Sequence, residues 1–394
     1  MNGFILRKQY LEQLKQFKDD TRLVKIVTGV RRCGKSTLLN QFMDTLKETE
    51  SPIVYINFEE MEFDHVRDYQ DLNKHLKANI DPKIHTYIFF DEIQRIEGWE
   101  RSINALMVGF DADIYITGSN AFILSSELST YLTGRYVSIN VLPFSFTEYR
   151  EMYSEHNISD SDLFDLYLRY GAFPSVDPFR DHGSIVSSLS DLYSSIVYRD
   201  VMSRGQIRDQ AMMERISRYL MLNNGNQISV GTISKTLGVR PETVERYLRL
   251  FEEAYIFYRV ERYDIKSTAL SPNSKYYSVD TGLRNSPLGY REEDIGRLLE
   301  NVVFLELLRR GYHIKVGKYG DGEIDFAARN NDGVWEYYQV TYSMMSDDVR
   351  KRELKPLEDL NNSFSKTVIS MDKRIPSVTE SGIKHIHILD WLLS

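Results

Sequence analysis

The chain has 394 residues, of which 42% are hydrophobic and 27% are charged, and its net charge at pH 7 is −8. This length predicts two or three domains, and the composition excludes a disordered chain. No window approaches the 18 apolar residues of a membrane helix. The negative charge argues against a uniformly basic nucleic-acid binder but leaves room for a local basic face.

The N-terminus and the cysteine content indicate where the protein works. Residues 1–8 lack the basic region, apolar core and small-residue cleavage site of a signal peptide, so we expect a cytoplasmic protein. The chain has one cysteine, Cys33, which excludes an internal disulfide framework and a cysteine-rich metal site.

The first part of the chain alternates apolar runs with helical patterns, which is typical of a parallel sheet flanked by helices. A polar helical stretch at 71–79 separates the second run from the third. The pattern therefore predicts five strands that end near residue 145, at 23–28, 53–58, 86–92, 113–117 and 136–142.

The first predicted strand leads into a glycine-rich segment, TGVRRCGKST, at positions 28–37. It fits G-x-x-x-x-G-K-[ST], for which a chance turn is the alternative. The glycines let backbone N–H groups close around a β-phosphate, Lys35 reaches the β- and γ-phosphates, and Ser36 ligates Mg²⁺ at the positive end of the next helix. We predict a loop that binds ATP and Mg²⁺ through Gly29, Arg32, Gly34, Lys35, Ser36 and Thr37.

The third predicted strand ends in two carboxylates, Asp91 and Glu92. Asp91 is predicted to lie beside the metal, and Glu92 to polarise the attacking water. A strand that ends in Asp-Glu is by itself more often only a strand end. Its place after a phosphate loop favours the catalytic interpretation.

Polar residues also flank the fourth and fifth predicted strands. The turn at 117–120 lies at the carboxyl edge of the sheet, where open α/β folds bind ligands, so Asn120 or Ser119 is predicted to contact the γ-phosphate or the attacking water. Arg135 precedes the fifth strand and is a candidate arginine finger for a neighbouring subunit. The alternatives are an ordinary loop and a surface arginine.

The middle of the chain is predicted to be helical, followed by a DNA-binding type of fold. The helical pattern breaks at 171–174, and we interpret residues 146–205 as a helical lid. Residues 228–248 resemble a helix-turn-helix with Gly238 in the turn, and runs at 255–260 and 275–279 predict a wing. Winged helices bind DNA or pack against other domains. Both alternatives stay open because glutamates accompany Arg240, Arg246 and Arg249.

The last part is predicted to begin with an amphipathic helix at 296–308. Strand patterns follow at 314–317, 323–328 and 335–342, and then a helix and a strand pair end the chain.

Together these motifs resemble the prokaryotic AAA+ type ATPases whose AAA module is followed by a C-terminal domain of unknown function. The resemblance covers nearly the whole chain and is carried by residues 29–37, 89–92, 117–120, 132–135, 171–174, 198–200, 296–306 and 323–326. The roles that it implies are phosphate and Mg²⁺ binding by Lys35 and Ser36, the metal-side acid Asp91, the catalytic base Glu92, the polar sensor Asn120 and the finger Arg135.

The C-terminal segment of this family also resembles the restriction-endonuclease core, in which acidic residues and a Glu/Gln-x-Lys hold Mg²⁺ and activate water. The resemblance places a metal at Glu300, Asp325 and Gln339. Thr341 stands where the lysine belongs. Because threonine cannot carry the positive charge, we expect a degenerate fold used for binding rather than an active nuclease.

The sequence as a whole predicts an α/β P-loop NTPase of the AAA+ type that hydrolyses ATP with Mg²⁺ to drive a conformational change. Its expected domains are the ATPase at 1–145, the lid at 146–205, the winged helix at 206–285 and the endonuclease-like domain at 286–394. Expected partners are ATP and either double-stranded DNA or another protein, without a membrane, and oligomerisation is left open. The alternatives are an ATP-switched DNA-binding protein with little turnover, an ATP-gated nuclease in which Lys315 or Lys318 replaces the lysine, and a kinase.

Overall fold

A computed structural model describes residues 5–121, 132, 134–203, 205, 207, 209–320, 322–373 and 377–394. The chain divides into two compact units, Met1–Leu142 with Glu253–Tyr255 and Pro143–Glu252 with Ile256–Ser394. The finer division into four domains stays a prediction. Within the described ranges, no helix is long and apolar enough to cross a membrane.

The first unit is a five-stranded parallel sheet with helices, and its strand order is β2-β3-β4-β1-β5. The five strands predicted from the apolar runs are confirmed, with ends that differ by one or two residues. The elements are α1 (Lys8–Gln16), β1 (Val24–Thr28), α2 (Lys35–Leu46), β2 (Ile53–Asn57), α3 (Tyr69–Asn79), β3 (Thr86–Asp91), α4 (Trp99–Gly109), β4 (Ala112–Gly118) and β5 (Tyr136–Asn140).

Burial explains why the central strands are continuous apolar runs. Every residue of β1, β3 and β4 is buried, because helices cover both faces of a parallel sheet. Strand β1 lies between β4 and β5, and β4 pairs with β3 on its other side. Since all strands are parallel, the segments that follow β1, β3 and β4 leave the sheet at the same carboxyl edge.

The second unit begins with helices and continues into a mixed sheet. Its helices are α5 (Phe146–Met152), α6 (Asp160–Tyr170), α7 (His182–Ile196), a π-helical stretch (Val197–Ser203), α8 (Gln210–Leu222), α9 (Val230–Leu237), α10 (Pro241–Glu253), α11 (Thr281–Asn285), α12 (Ile295–Arg309), α13 (Asp347–Asp359) and α14 (Ile388–Leu393). Its strands are β6 (Gln227–Ile228), β7 (Phe257–Asp264), β8 (Leu270–Ser278), β9 (His313–Tyr319), β10 (Gly322–Arg329), β11 (Trp335–Val340), β12 (Ser365–Ser370) and β13 (Lys384–His387).

These eight strands form one sheet with the order β13-β12-β11-β10-β9-β7-β8-β6. Strand β7 pairs antiparallel with β8, and residues 262–264 of β7 pair parallel with 316–318 of β9. The hairpin expected as a wing therefore continues into the C-terminal strands. The winged-helix and endonuclease-like assignments stay predictions, although the elements expected for them are present.

The helix and strand pair expected near the C-terminus are present as α13, β12 and β13, but a further helix, α14, follows them. The side chain of His387 accepts a hydrogen bond from Leu389 N at 3.2 Å and so caps α14. Trp391 and Leu392 are buried. A helix of six residues is too short for its periodicity to be recognised in the sequence.

The break at residues 171–174 is held by a buried carboxylate. Gly171 has φ +74°, and a Cβ there would lie 2.0 Å from Asp280 Oδ1. Asp280 Oδ2 accepts a 2.7 Å hydrogen bond from Ala172 N, while Oδ1 accepts one of 2.8 Å from Leu283 N and caps α11. Burial raises the pKa of Asp280 to about 6. The glycine is needed here because any side chain would displace this carboxylate.

Candidate nucleotide-binding site

The glycine-rich segment forms a tight loop between β1 and α2. Gly29 has φ +140° and a Cβ on it would lie 2.1 Å from Val141 O, so only glycine fits. Gly34 and Arg32 also have positive φ, at 101° and 64°. Gly34 is the N-cap of α2 and has no side chain to cap the helix. The first N–H groups of α2 therefore face the loop, which is a suitable place for an anion.

The lysine of the motif is directed into the loop. Lys35 Nζ donates to the carbonyl oxygens of Gly29 at 3.1 Å and Val30 at 3.2 Å, and its side chain is buried. Ser36 and Thr37 follow in the first turn of α2, and Arg32 is exposed. A phosphate offers the ammonium stronger, charged acceptors than these two carbonyls. The loop residues predicted to bind the nucleotide thus lie between β1 and the first turn of α2.

Arg7, which was not predicted from the sequence, contacts the phosphate loop through its side chain. Its guanidinium donates from Nη1 to Cys33 O at 3.0 Å and from Nη2 to Leu142 O at 2.8 Å. It also lies over the ring of Tyr10, whose hydroxyl accepts from Leu142 N at 3.1 Å. Only 2% of Arg7 is exposed. A buried cation thus joins the phosphate loop to the segment that follows β5.

The two carboxylates at the end of β3 are both buried and are oriented differently. Asp91 Oδ2 accepts a 3.0 Å hydrogen bond from the hydroxyl of Tyr55, and Oδ1 accepts one from Thr117 Oγ1. Burial raises the pKa of Tyr55 above its usual value, and Asp91 raises it further, so this hydroxyl stays a donor. Carboxylate and hydroxyl oxygens are the ligands that Mg²⁺ prefers, which suits Asp91 and Ser36.

Glu92 lies in the left-handed backbone region, with φ +56°. Its N–H donates to Thr117 Oγ1 at 2.9 Å, and its carboxylate accepts from Gln94 Nε2 and lies 3.4 Å from Ser119 Oγ. A non-glycine residue at such an angle is uncommon and costs free energy. Asp91 and Glu92 are thus adjacent in sequence, but their carboxylates accept hydrogen bonds from different donors.

The polar turn after β4 closes the same edge of the sheet. Thr117 bridges the two carboxylate residues, since its hydroxyl donates to Asp91 and accepts from Glu92 N–H. Ser119 and Asn120, which follow in the same turn, are also buried. Thr117 was expected in this polar turn, but its bridging role and the contact of Gln94 were not predicted.

Arg135 directly precedes β5 and contacts its own unit. Its Nη2 donates to Asn104 Oδ1 at 3.0 Å on α4, and its Nε donates to Leu132 O at 3.2 Å. Both acceptors are neutral, so the guanidinium keeps its charge uncompensated by a carboxylate in these contacts. Its role as an arginine finger stays a prediction.

The three C-terminal residues predicted to hold a metal also come together, around an unexpected lysine. Lys275 Nζ lies 2.8 Å from Glu300 Oε1 and 3.6 Å from Asp325 Oδ1, and Gln339 contacts Asp325 N through its Oε1 at 3.3 Å. Burial lowers the pKa of Lys275, but the surrounding carboxylates outweigh it and raise the pKa above its ordinary value.

Lys315 and Lys318, the lysines considered as replacements for the missing one, lie near carboxylates of β7. Lys315 Nζ lies 3.7 Å from Glu261 and Lys318 Nζ lies 3.8 Å from Asp264. Lys318 also lies opposite Glu323 in the pairing of β9 with β10. Replacement of the missing lysine by either of them stays a prediction.

Comparison with known proteins identifies the first unit. Residues 21–150 match a family described as an AAA domain, and residues 161–294 match a domain of unknown function, DUF8612. An uncharacterized protein of Haemophilus influenzae is 38% identical over 99% of each chain. Another, of Methanocaldococcus jannaschii, is 30% identical and matches 92% of this chain and 86% of the relative. The chain belongs to the family of these two relatives, and its residues 21–150 are an AAA domain.

Two solved structures are also similar to the chain. DNA-bound ORC1 of Aeropyrum pernix has a TM-score of 0.33 at 14% identity and covers 72% of this chain and 92% of its own. AMPPCP-bound DnaA of Aquifex aeolicus has a TM-score of 0.33 at 15% identity, with 64% and 90% covered. Scores this low carry no argument about function. The AAA domain assignment rests on the family match and on the phosphate loop.

Proposed function

We propose that the AAA domain binds ATP and hydrolyses it to ADP and phosphate with Mg²⁺. The proposal rests above all on the convergence of Lys35, Asp91 and Glu92 at one edge of a parallel sheet. Lys35 is buried and donates to the carbonyl oxygens of Gly29 and Val30, and the γ-phosphate would offer it a charged acceptor in their place. Ser36 and Asp91 would hold Mg²⁺, which neutralises phosphate charge when it is bound.

Within this proposal Glu92 orients the attacking water and accepts its proton. The water oxygen forms the new bond to the γ-phosphorus while the bond to the ADP oxygen breaks. Lys35 stabilises the charge that develops on the phosphate oxygens. Asn120 positions the water or the γ-phosphate from the turn after β4. Arg135 would act on the nucleotide of a second copy of the chain.

The test is Mg²⁺-dependent phosphate release from ATP by the purified protein. Lys35→Ala is expected to abolish turnover, because the phosphates lose their buried cation. Lys47→Ala, at the exposed end of the same helix, is the matched control and is expected to keep wild-type turnover. Turnover that survives Lys35→Ala would rule out the phosphate loop as the site.

A second candidate, an ATP-switched DNA-binding protein, is favoured by the surface of α10. Arg240 and Arg249 are exposed there, but Glu245 is exposed between them and Arg246 donates to Gly205 O. The expected result for this candidate is salt-dependent binding of duplex DNA that ATP strengthens, lost in the Arg240→Ala and Arg249→Ala double variant. DNA binding that does not respond to ATP would contradict the switch.

ATP turnover and DNA binding separate the two candidates. Turnover that DNA stimulates supports an ATPase that works on DNA. Tight ATP binding with negligible turnover in both conditions supports the switch and contradicts the proposed hydrolysis. What the conformational change acts on stays a prediction, with DNA or another protein as the expected partner.

A further inference from the structure

A buried lysine occupies the centre of the C-terminal carboxylate cluster. Lys275, on β8, is 5% exposed in its side chain. Its Nζ lies 2.8 Å from Glu300 Oε1, 2.9 Å from Glu323 Oε1 and 3.6 Å from Asp325 Oδ1. These acceptors belong to α12 and β10. One ammonium thus gathers carboxylates from two other elements of the unit.

Donors other than Lys275 also contact the carboxylates of this cluster. Tyr277 OH donates to Glu300 Oε1 at 2.6 Å, and Val340 N donates to Asp325 Oδ2 at 2.8 Å. Glu323 Oε2 accepts from Gln227 Nε2 and lies 3.7 Å from Arg262 Nη2. The carboxylates are therefore oriented by donors of the chain itself.

Gln339, the third residue expected to hold a metal, is also engaged. Its Nε2 donates to Glu353 Oε2 at 2.9 Å, and its Oε1 accepts from Asp325 N at 3.3 Å. The amide oxygen is thus directed at the backbone of β10. In the part of the chain that the structure describes, no three His, Cys, Asp or Glu side chains are arranged to hold a metal ion.

We propose that the Lys275 ammonium takes the place of a divalent cation between Glu300, Glu323 and Asp325. Two of its N–O distances are those of charge-assisted hydrogen bonds, and its positive charge disfavours a second cation at the same oxygens. The cluster then works without a metal and fastens β8 to α12 and β10. The C-terminal strands serve as a rigid scaffold and not as a nuclease.

Buried charge explains why the lysine is required. Removing one partner of a buried ion pair leaves an uncompensated charge, which is strongly destabilising. Without Lys275 the three carboxylates repel one another and need another cation. The proposal therefore predicts that the cluster accepts a metal only when the lysine is removed.

The experiment measures Mn²⁺ binding by the full chain without nucleotide. Every protein carries Asp91→Asn, which removes the proposed metal ligand of the AAA domain. In this background, the protein that keeps Lys275 is compared with the Lys275→Ala and Lys275→Arg variants. Lys275→Ala is expected to gain one Mn²⁺ ion, with the unfolding midpoint rising by about 5 °C in excess Mn²⁺. Lys275→Arg keeps a cation and is expected to gain none. Adding Asp325→Asn to Lys275→Ala is expected to abolish the gain, which locates the ion.

Three results would overturn the proposal. The first is Mn²⁺ binding by the protein that keeps Lys275, lost on Asp325→Asn. The second is DNA cleavage by the wild type with Mg²⁺ that Asp325→Ala abolishes. The third is a folded Lys275→Ala variant that gains no Mn²⁺. If Lys275→Ala does not fold, the protein that keeps Lys275 still tests the proposal, because its Mn²⁺ binding is measured without a substitution in the cluster. No Mn²⁺ at the cluster supports the proposal, and a bound ion there contradicts it.

Discussion

The backbone N–H of Glu92 donates a 2.9 Å hydrogen bond to the side-chain oxygen of Thr117. The same hydroxyl donates to Asp91, so one threonine fixes both carboxylate residues at the end of β3. This contact holds Glu92 at its left-handed backbone angle, φ +56°. Thr117 is therefore a positioning residue for the proposed hydrolysis.

Thr117→Val is expected to lower kcat about tenfold or more and to change KM little. Loss of a hydrogen bond to a charged group costs about 1.5–3 kcal/mol, and about 1.4 kcal/mol is tenfold in rate. Thr117→Ser keeps the hydroxyl and is expected to retain most of the activity. The measurement is steady-state ATP hydrolysis by both variants. Equal kcat values for valine and serine would show that the hydroxyl does not position the acids.

Arg7→Ala is expected to weaken ATP binding and to lower the free energy of unfolding by about 1–3 kcal/mol, because two buried carbonyl oxygens lose their donors. The measurements are titration with a non-hydrolysable ATP analogue and denaturant unfolding. Arg22→Ala is the matched control, since the side chain of Arg22 is 85% exposed. Analogue affinity that is the same in both variants would contradict the supporting role of Arg7.

Asp280→Asn is expected to change how stability depends on pH. The folded pKa of Asp280, about 6, lies above the ordinary value of 3.8, so its contribution is fully present below that value and is lost as pH rises through 6. A rise of the pKa from 3.8 to about 6, at about 1.4 kcal/mol per pH unit, corresponds to about 3 kcal/mol over the whole titration. Part of this is already lost at pH 4, where the unfolded carboxyl is more than half ionised. Relative to the wild type, the variant should therefore gain about 2 kcal/mol between pH 4 and pH 7.

Unfolding by denaturant across this pH range checks the Asp280 prediction. The test is the change in the difference between the variant and the wild type and not its absolute size. A difference that is constant from pH 4 to pH 7 would refute the raised pKa.

The sequence predicted the parts of the protein that depend on local pattern. The five strands of the AAA domain follow from apolar runs, and the phosphate loop and the acids at 91 and 92 follow from their place at strand ends. Arg7 could not be predicted, because its acceptors are 26 and 135 residues away along the chain. A long-range pair of this kind leaves no periodic signal.

The C-terminal cluster shows the same limit. Glu300, Asp325 and Gln339 were expected together, but Lys275 lies in a strand that was interpreted as part of a wing. The pairing of β7 with β9 places the wing hairpin and the C-terminal strands in one sheet, and only that register brings Lys275 to the carboxylates. Lys275 and Tyr277 are two residues apart in β8 and therefore lie on the same face of the strand. This spacing was the available signal that both side chains contact the same group.

The central claim is that Glu92 activates water for ATP hydrolysis, and a single-turnover measurement tests it most directly. Phosphate release from prebound ATP is followed in the wild type, in Glu92→Gln and in the exposed control Glu97→Gln, at equal occupancy. The account predicts that Glu92→Gln binds ATP as tightly as the wild type but releases phosphate at least about 100-fold more slowly, while Glu97→Gln behaves as the wild type. Equal release rates in Glu92→Gln and the wild type would contradict it.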